Sequence, residues 1–202
     1  MSLFRRSRTG RIEAYDLGAP GTWHAVPQPT PAGFADELTD HLIGLLDDGE
    51  PHRSEVLQHV KGVVAEVTAE PHLGVAVWAP DPARPVLCAA MLVDFIVPDE
   101  GIGFDAETLL EIARNAAPPP DVERLSRSVE LVELPAGAAV VQRDIIADRP
   151  GGEVEENIKY TVFPPGAVEA LSIAFAGPHL SLGELLEADA QAIAESLTVE
   201  LV

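Results

Sequence analysis

Residues 128–197 read SVELVELPAGAAVVQRDIIADRPGGEVEENIKYTVFPPGAVEALSIAFAGPHLSLGELLEADAQAIAESL, and this stretch decides the fold. Four segments in it are rich in β-branched and apolar residues and are separated by turn residues. The predicted strands are residues 128–134, 138–147, 158–162 and 171–175. Turns as short as Pro135-Ala-Gly137 join antiparallel neighbours, because a parallel pair needs a much longer crossover. The stretch therefore predicts an antiparallel sheet built from successive hairpins.

An amphipathic helix is predicted over residues 181–197, directly after the last strand. Its apolar side chains recur at helical spacing, at Leu182, Leu186, Ala190, Ile193 and Leu197. Ser181 and Glu184 have the spacing of a capping box, in which each side chain accepts a hydrogen bond from the other residue's backbone amide. The small residues at 170, 172 and 174 predict that a helix packs closely on one face of the sheet.

The N-terminal half supplies further elements by the same criteria. Predicted strands are residues 21–26, 72–79 and 86–97, and predicted helices are residues 32–48, 54–69 and 105–116. Asp105 is expected to cap the third helix, which ends before three consecutive prolines. The order is β-α-α-β-β-α-β-β-β-β-α. It indicates an α+β fold, in which an antiparallel sheet of about six to seven strands has helices on both faces, an α-β-α sandwich.

The chain length of 202 residues suits one domain, which we predict at residues 13–202. Residues 1–12 are predicted to be a flexible basic N-terminal tail, with arginines at 5, 6, 8 and 11 and no acid. The longest apolar run, residues 86–93, is far shorter than the roughly 20 residues of a membrane-spanning helix. No apolar stretch of a signal peptide follows the arginines. The expectation is a cytoplasmic protein without a transmembrane segment.

The chain is strongly acidic, with 33 Asp and Glu against 13 Lys and Arg and a formal net charge of −20. A surface of this sign repels a phosphate backbone, which argues against nucleic-acid binding by the folded domain. The acids are dispersed, which is typical of a solvated surface. The alternative interpretation is attraction of a cationic partner.

Residue types that carry chemistry occur without the spacing that chemistry needs. Cys88, the one cysteine, has no neighbouring cation and is interpreted as a small, buried apolar side chain. The six histidines include no His-Glu-x-x-His pattern. Gly101-Ile-Gly103 lacks the third glycine of a nucleotide loop, and no Gly-x-Ser-x-Gly elbow is present. We therefore expect no catalytic residue, no metal ligand and no cofactor.

The densest acidic patch surrounds the Pro-Gly-Gly turn at 150–152. It consists of Asp148, Glu153, Glu155 and Glu156. One interpretation is a charged hairpin tip that discourages pairing between sheet edges. The other is a docking site for a basic partner.

Four segments carry a resemblance to a known superfamily: GTWHAVP (21–27), VELVELPAGAAVVQRDI (129–145), YTVFPPGAVEALSIAFAG (160–177) and LLEADAQAIAESL (185–197). With the element order, they make the chain resemble the PsbP-like α-β-α sandwich superfamily over residues 21–197. That group is similar in fold to the extrinsic photosystem II subunit, to a Ran-binding nuclear import factor and to chaperones that load type VI secretion effectors. The Ala- and Arg-rich composition, with lysine only at 61 and 159, resembles that of an actinobacterial protein.

The resemblance implies a binding or accessory role, because members of the superfamily mostly bind proteins and share no active site. The leading hypothesis is a non-enzymatic binding, adaptor or chaperone-like module with a protein or peptide partner. One alternative is a small-molecule binder or an enzyme whose site assembles from dispersed residues. Another is a structural subunit of a larger assembly, and self-association through an edge strand stays open.

Overall fold

The computed structural model describes residues 10–46, 53–98, 104–148 and 152–202, with the Asp148 side chain left out. Most of the predicted tail, residues 1–9, lies outside the described residues. Gly10 and Arg11 hydrogen bond to the rest of the chain, since their amides donate to Gly166 O at 3.1 Å and to Val202 O at 3.0 Å.

Nine strands and four α-helices form in the described residues. The strands are β1 (Ile12–Asp16), β2 (Trp23–Ala25), β3 (Gly74–Trp78), β4 (Ala89–Ile96), β5 (Val122–Leu134), β6 (Gly137–Asp148), β7 (Val154–Phe163), β8 (Ala170–Gly177) and β9 (Thr198–Leu201). The helices are α1 (Phe34–Gly44), α2 (Arg53–Val67), α3 (Ala106–Asn115) and α4 (Gly183–Ser196). None of these helices has both the length and the apolar character needed to cross a membrane.

Seven strands form one sheet in the order β2-β3-β4-β8-β7-β6-β5, and all neighbouring strands are antiparallel. The hairpins β5–β6, β6–β7 and β7–β8 come from the C-terminal stretch that predicted them. Helices pack on both faces of this sheet. The predicted α+β sandwich of six to seven antiparallel strands is therefore confirmed.

The two faces of the sheet are covered differently. On the one-helix face, α4 packs its Leu186, Ala190 and Ile193 on a core that includes Ile158 and Phe175. On the opposite, three-helix face, α1 and α2 pack over β3, while α3 packs over β5, β6 and β7. The two helix groups contact different strands, and a strip of the sheet that includes Lys159 of β7 and Ala174 of β8 remains accessible between them.

The sequence did not predict β1 and β9, which pair with each other in a separate two-stranded sheet. Each is only five or four residues long, too short to show an alternating pattern. Strand β1 is also tied to the β7–β8 connection, because the Ile12 amide donates to Glu169 Oε2 at 3.0 Å. Pairing between the two ends of a chain leaves no local signal.

The predicted capping box of Ser181 and Glu184 is wrong. The chain makes a 3₁₀ turn at Leu180–Leu182, so Ser181 lies inside this turn. Leu182 takes the N-cap position of α4, without a side-chain hydrogen bond. The predicted cap at Asp105 is confirmed, since its Oδ1 accepts from the Thr108 amide at 2.9 Å.

One carboxylate fixes α4 on the one-helix face. Asp189 Oδ2 accepts a hydrogen bond from Trp23 Nε1 and another from Trp78 Nε1, each at 3.0 Å. The two tryptophans are paired across β2 and β3 and are stacked, with ring centroids 5.8 Å apart. Because both indoles are buried and an indole N–H is costly to bury without an acceptor, α4 is held in one position relative to these strands.

A buried ion pair fixes α3 on the three-helix face. Arg127 of β5 donates from Nε and Nη2 to the two oxygens of Asp144 on β6, at 2.6 and 2.7 Å. Its Nη1 donates to the carbonyls of Ala113 and Ala116 at the end of α3, at 2.7 and 3.2 Å. The guanidinium thus joins the sheet to the carbonyl end of the helix, where a cation is favoured.

We predict that Asp189→Ala lowers the free energy of unfolding by about 2–4 kcal/mol, because two indole N–H groups lose a charged acceptor. Asp189→Asn keeps an acceptor oxygen and should cost less. Urea unfolding followed by tryptophan fluorescence measures both, since Trp23 and Trp78 are the only tryptophans. The control is Glu195→Ala, an exposed acid of the same helix, with an expected effect within about 0.5 kcal/mol. Equal effects of Asp189→Ala and the control would contradict this account of how α4 is fixed.

Asp144 should make stability dependent on acid pH. Burial alone would raise the pKa of Asp144, but hydrogen bonds from Arg127 and Gln142 and the charges of Arg127 and Arg124 lower it overall. A folded-state pKa below the unfolded one stabilises the protein at higher pH, and this contribution is lost as pH falls through the folded-state pKa. Asp144→Asn should therefore lower Tm clearly at pH 7 and much less at acid pH, below the lowered folded-state pKa of Asp144. A Tm difference that stays constant over this range would contradict the prediction.

Candidate functional site

A cleft of about 250 Å³ opens beside α4 on the one-helix face. It lies where α4 stops covering the sheet and β5 and β6 become accessible. Its lining comes from three strands and one helix: Ser128, Glu130, Val132, Glu133, Leu134, Val141, Arg143, Tyr160, Gln191 and Glu195. The cleft therefore depends on the position of α4, which Asp189 fixes.

One wall of the cleft is the last strand of the sheet. Strand β5 is 13 residues long and pairs only with β6 among the described residues, so its outer edge has no strand partner there. A bulge between Arg124 and Ser126 interrupts the pairing, and residues 126–134 form the regular part. An unpaired edge presents backbone N–H and C=O groups to any added strand.

The cleft carries an excess of negative charge. Glu130, Glu133 and Glu195 are all exposed. Glu195 Oε1 accepts a hydrogen bond from Gln191 Nε2 at 2.8 Å, a neutral partner. Within the described ranges, Glu130 and Glu133 have no cation beside them. Three carboxylates at an open edge create a local potential that favours cationic groups.

The basic residue of the cleft, Arg143, is already paired. Its Nη1 lies 2.5 Å from Glu187 Oε1 of α4, and its side chain also hydrogen bonds to Tyr160. Burial raises the pKa of the Tyr160 hydroxyl, and Arg143 opposes part of this rise. Arg143 therefore leaves the charge of the three exposed glutamates uncompensated.

The structure separates the residues of the predicted acidic patch. Glu153 is exposed ahead of β7. Glu155 lies on the three-helix face and Glu156 on the one-helix face, because neighbouring residues of a strand point to opposite faces. The side chain of Asp148 lies outside the described part of the chain. A docking role for this patch stays a prediction.

Glu156 has a structural position that the sequence did not indicate. Its carboxylate lies against Gly183, the first residue of α4, where a Cβ atom would meet it. A carboxylate at this end of a helix is stabilised by the helix dipole, in place of the capping box that does not form. Burial and, secondly, the charge of Glu187 raise the pKa of Glu156, and Arg143 lowers it.

Groups that could support catalysis or metal binding do not converge in the described residues. No cluster of three His, Cys, Asp or Glu side chains has metal-ligand geometry there. His72 Nδ1 lies 2.8 Å from Asp94 Oδ2, but no hydroxyl or thiol in the described part of the chain hydrogen bonds to His72. Cys88 is half-buried rather than buried, and burial raises the pKa of its thiol. The Gly101-Ile-Gly103 loop lies outside the described residues.

The cleft was not predicted, although all of its lining residues lie within the stretch 128–197. Glu130 and Glu133 lie in a segment that was predicted as a strand, but nothing local shows that this strand is the edge of the sheet. Glu195 comes from a helix that the chain order places after β8, far from β5 in sequence. Only the strand order brings these three acids together.

Comparison with known proteins gives the fold and little else. No protein-family model matches the chain, and no curated protein matches it in sequence. Among solved structures it is similar to LpqN of Mycobacterium tuberculosis, involved in cell envelope biogenesis, with a TM-score of 0.50 and 15% identity over 92% of this chain and 82% of LpqN. A protein of Bacteroides thetaiotaomicron has a TM-score of 0.47 and 11% identity over 92% of this chain, which spans 45% of that protein. At 15% identity the likeness to LpqN shows a shared fold.

A double-mutant cycle tests the contact between Glu156 and α4. Gly183 has helical backbone angles, so Gly183→Ala should stabilise the helix by up to about 1 kcal/mol when nothing opposes the new methyl group. In the wild-type background the methyl group displaces the Glu156 carboxylate, and the gain should vanish or reverse. In a Glu156→Ala background the gain should appear in full. Equal effects in both backgrounds, measured by urea unfolding, would rule out the contact.

Proposed function

We propose that this protein is a non-enzymatic binding module that holds an extended, basic segment of a partner protein along the outer edge of β5. The segment adds an eighth strand to the sheet and places its cationic side chains in the acidic cleft. Binding, adaptor and chaperone-like roles all need such a surface.

The proposal is supported by the edge of β5, which has no strand partner among the described residues and lies directly beside glutamates that have no described cation next to them. Arg114 Nη2 already donates to the Val129 carbonyl at 3.4 Å, and backbone groups of an added strand would satisfy the remaining outward N–H and C=O groups of residues 126–134. Opposite charges on neighbouring strands stabilise pairing by about 0.2–1 kcal/mol each, so lysine or arginine beside Glu130 favours a basic strand. Leu131, which is 40% exposed, offers an apolar contact on the other face.

The net charge of the whole chain also favours binding of a basic segment. A net charge of −20 attracts a basic segment over distances of roughly one Debye length, about 10 Å in 0.1 M salt. The same charge disfavours a second copy of this chain at the edge. Binding should consequently weaken as salt is raised.

The relationship to known folds supports an accessory role. We also propose that the chain is a member of the PsbP-like superfamily and of actinobacterial origin. This is supported by the α-β-α arrangement, the element order and the likeness to mycobacterial LpqN. LpqN is involved in cell envelope biogenesis, and an accessory role in the envelope is compatible with strand binding. The cytoplasmic location expected from the sequence stays a prediction that cell fractionation decides.

A nine-residue peptide of alternating lysine and valine, labelled with fluorescein, tests the proposal by fluorescence polarisation. We expect saturable binding that Glu130→Gln together with Glu133→Gln weakens about two- to fivefold, because Glu130 loses a cross-strand charge pair and Glu133, on the opposite face of β5, no longer adds to the local negative potential. The matched control is Glu66→Gln with Glu70→Gln, two exposed acids near the end of α2, which remove the same charge elsewhere. Equal weakening by both double variants would mean that only net charge attracts the peptide.

Backbone methylation tests strand addition separately from charge. Alternate residues of a strand direct their amides to one edge, so methylating all valine amides blocks one edge and methylating all lysine amides blocks the other. One of the two methylated peptides should lose binding and the other should retain it. Retention by both would contradict strand addition, even if the glutamates matter.

A further inference from the structure

A second concave surface lies on the three-helix face, in the strip between the two helix groups. It is a groove of about 290 Å³. Its floor comes from β6, β7 and β8, and one wall comes from the proline-rich segment after α3. Its lining includes Pro118, Pro119, Arg124, Asn157, Lys159 and Ala174.

We propose that this groove binds a small organic anion, a carboxylate attached to an apolar body. The site goes beyond the strand-binding function, because it lies on the opposite face of the sheet and shares no lining residue with the acidic cleft. Peptide binding at β5 and anion binding here can succeed or fail independently.

Lys159 is the cation that the groove leaves available. It stands on β7 between Gln142 of β6 and Ala174 of β8, in the middle of the sheet and half-buried. In the part of the chain that the structure describes, its ammonium has no ion pair and no hydrogen bond. An ammonium on a concave floor without an ion pair to a described carboxylate is unusual in a chain with 33 acids, and it is suited to an anionic ligand.

The charges around Lys159 add to a local excess of positive charge. The groove is lined by three basic residues and by one acid, Asp144, which is bonded to Arg127 through both oxygens. Arg124 reaches the same carboxylate only at 3.6 Å and donates from Nη1 to Ala116 O at 2.8 Å. The groove lining therefore contains one acid and three basic residues, whereas the lining of the acidic cleft on the other face contains more acids than basic residues.

The other lining residues indicate what can bind the apolar body and the second carboxylate oxygen of the ligand. Pro118, Pro119, Ile146 and Ala174 are apolar and can contact a ring or a short hydrocarbon body. The Asn157 side chain has no hydrogen-bond partner among the described residues, so its amide can donate to the second carboxylate oxygen. The small residue at 174 keeps the floor open next to Lys159. The volume is near the lower limit of small-molecule sites and fits a compact acid.

Benzoate is the test ligand, titrated into the ¹⁵N-labelled full-length chain and followed by NMR. We expect saturable shifts at β7 and β8 amides, with binding at about millimolar concentration for so small a ligand. Benzamide lacks the charge and acetate lacks the ring, and both should bind at least tenfold more weakly. Lys159→Met should abolish saturation.

The chain provides a matched control, because its only other lysine is Lys61, which is exposed on α2 and lies 3.5 Å from Asp36. Lys61→Met should leave benzoate binding unchanged, and an unchanged dispersion of amide signals verifies that Lys159→Met is folded. Any of four results would overturn the proposal: no saturation by benzoate, equal binding of benzamide, equal binding of acetate, or unchanged binding by the folded Lys159→Met variant.

Discussion

The Asp189 carboxylate is the contact on which the rest of the one-helix face depends. By accepting hydrogen bonds from Trp23 and Trp78, it sets where α4 lies over the sheet. That position buries the core between α4 and the central strands, and it also determines where the helix stops covering the sheet. The acidic cleft begins at this limit, so a stabilising contact outside the cleft lining affects its shape.

Two carboxylates, the buried Asp144 and the half-buried Asp189, thus play similar structural roles on opposite faces. Asp189 fixes α4 through two indoles, and Asp144 fixes α3 through the guanidinium of Arg127. The surfaces that remain differ in charge, because the cleft beside α4 presents exposed glutamates and the groove beside α3 presents Lys159. This local difference in charge supports the proposed basic partner on one face and the proposed organic anion on the other.

The sequence predicted the layers of the fold more completely than its binding surfaces. The alternation of apolar and polar residues in 128–197, together with the turn residues, was sufficient to predict the long hairpins. The helical spacing of apolar residues was sufficient to predict α4. Strands β1 and β9 escaped prediction because each is short and pairs only with the other chain end. The capping box failed because a 3₁₀ turn takes up Ser181 and Glu156 supplies the carboxylate from another strand. The cleft and the groove depend on strand order, which the sequence left open.

Hydrogen–deuterium exchange of the β5 amides tests the central claim most directly. In the free protein, alternate amides of residues 126–134 should exchange quickly, because they point away from β6 and have no strand partner among the described residues. Adding the basic lysine–valine peptide should protect these amides and leave β2, at the other edge, unchanged. Protection confined to other strands, or fast exchange of the outward β5 amides in the saturated complex, would contradict the account.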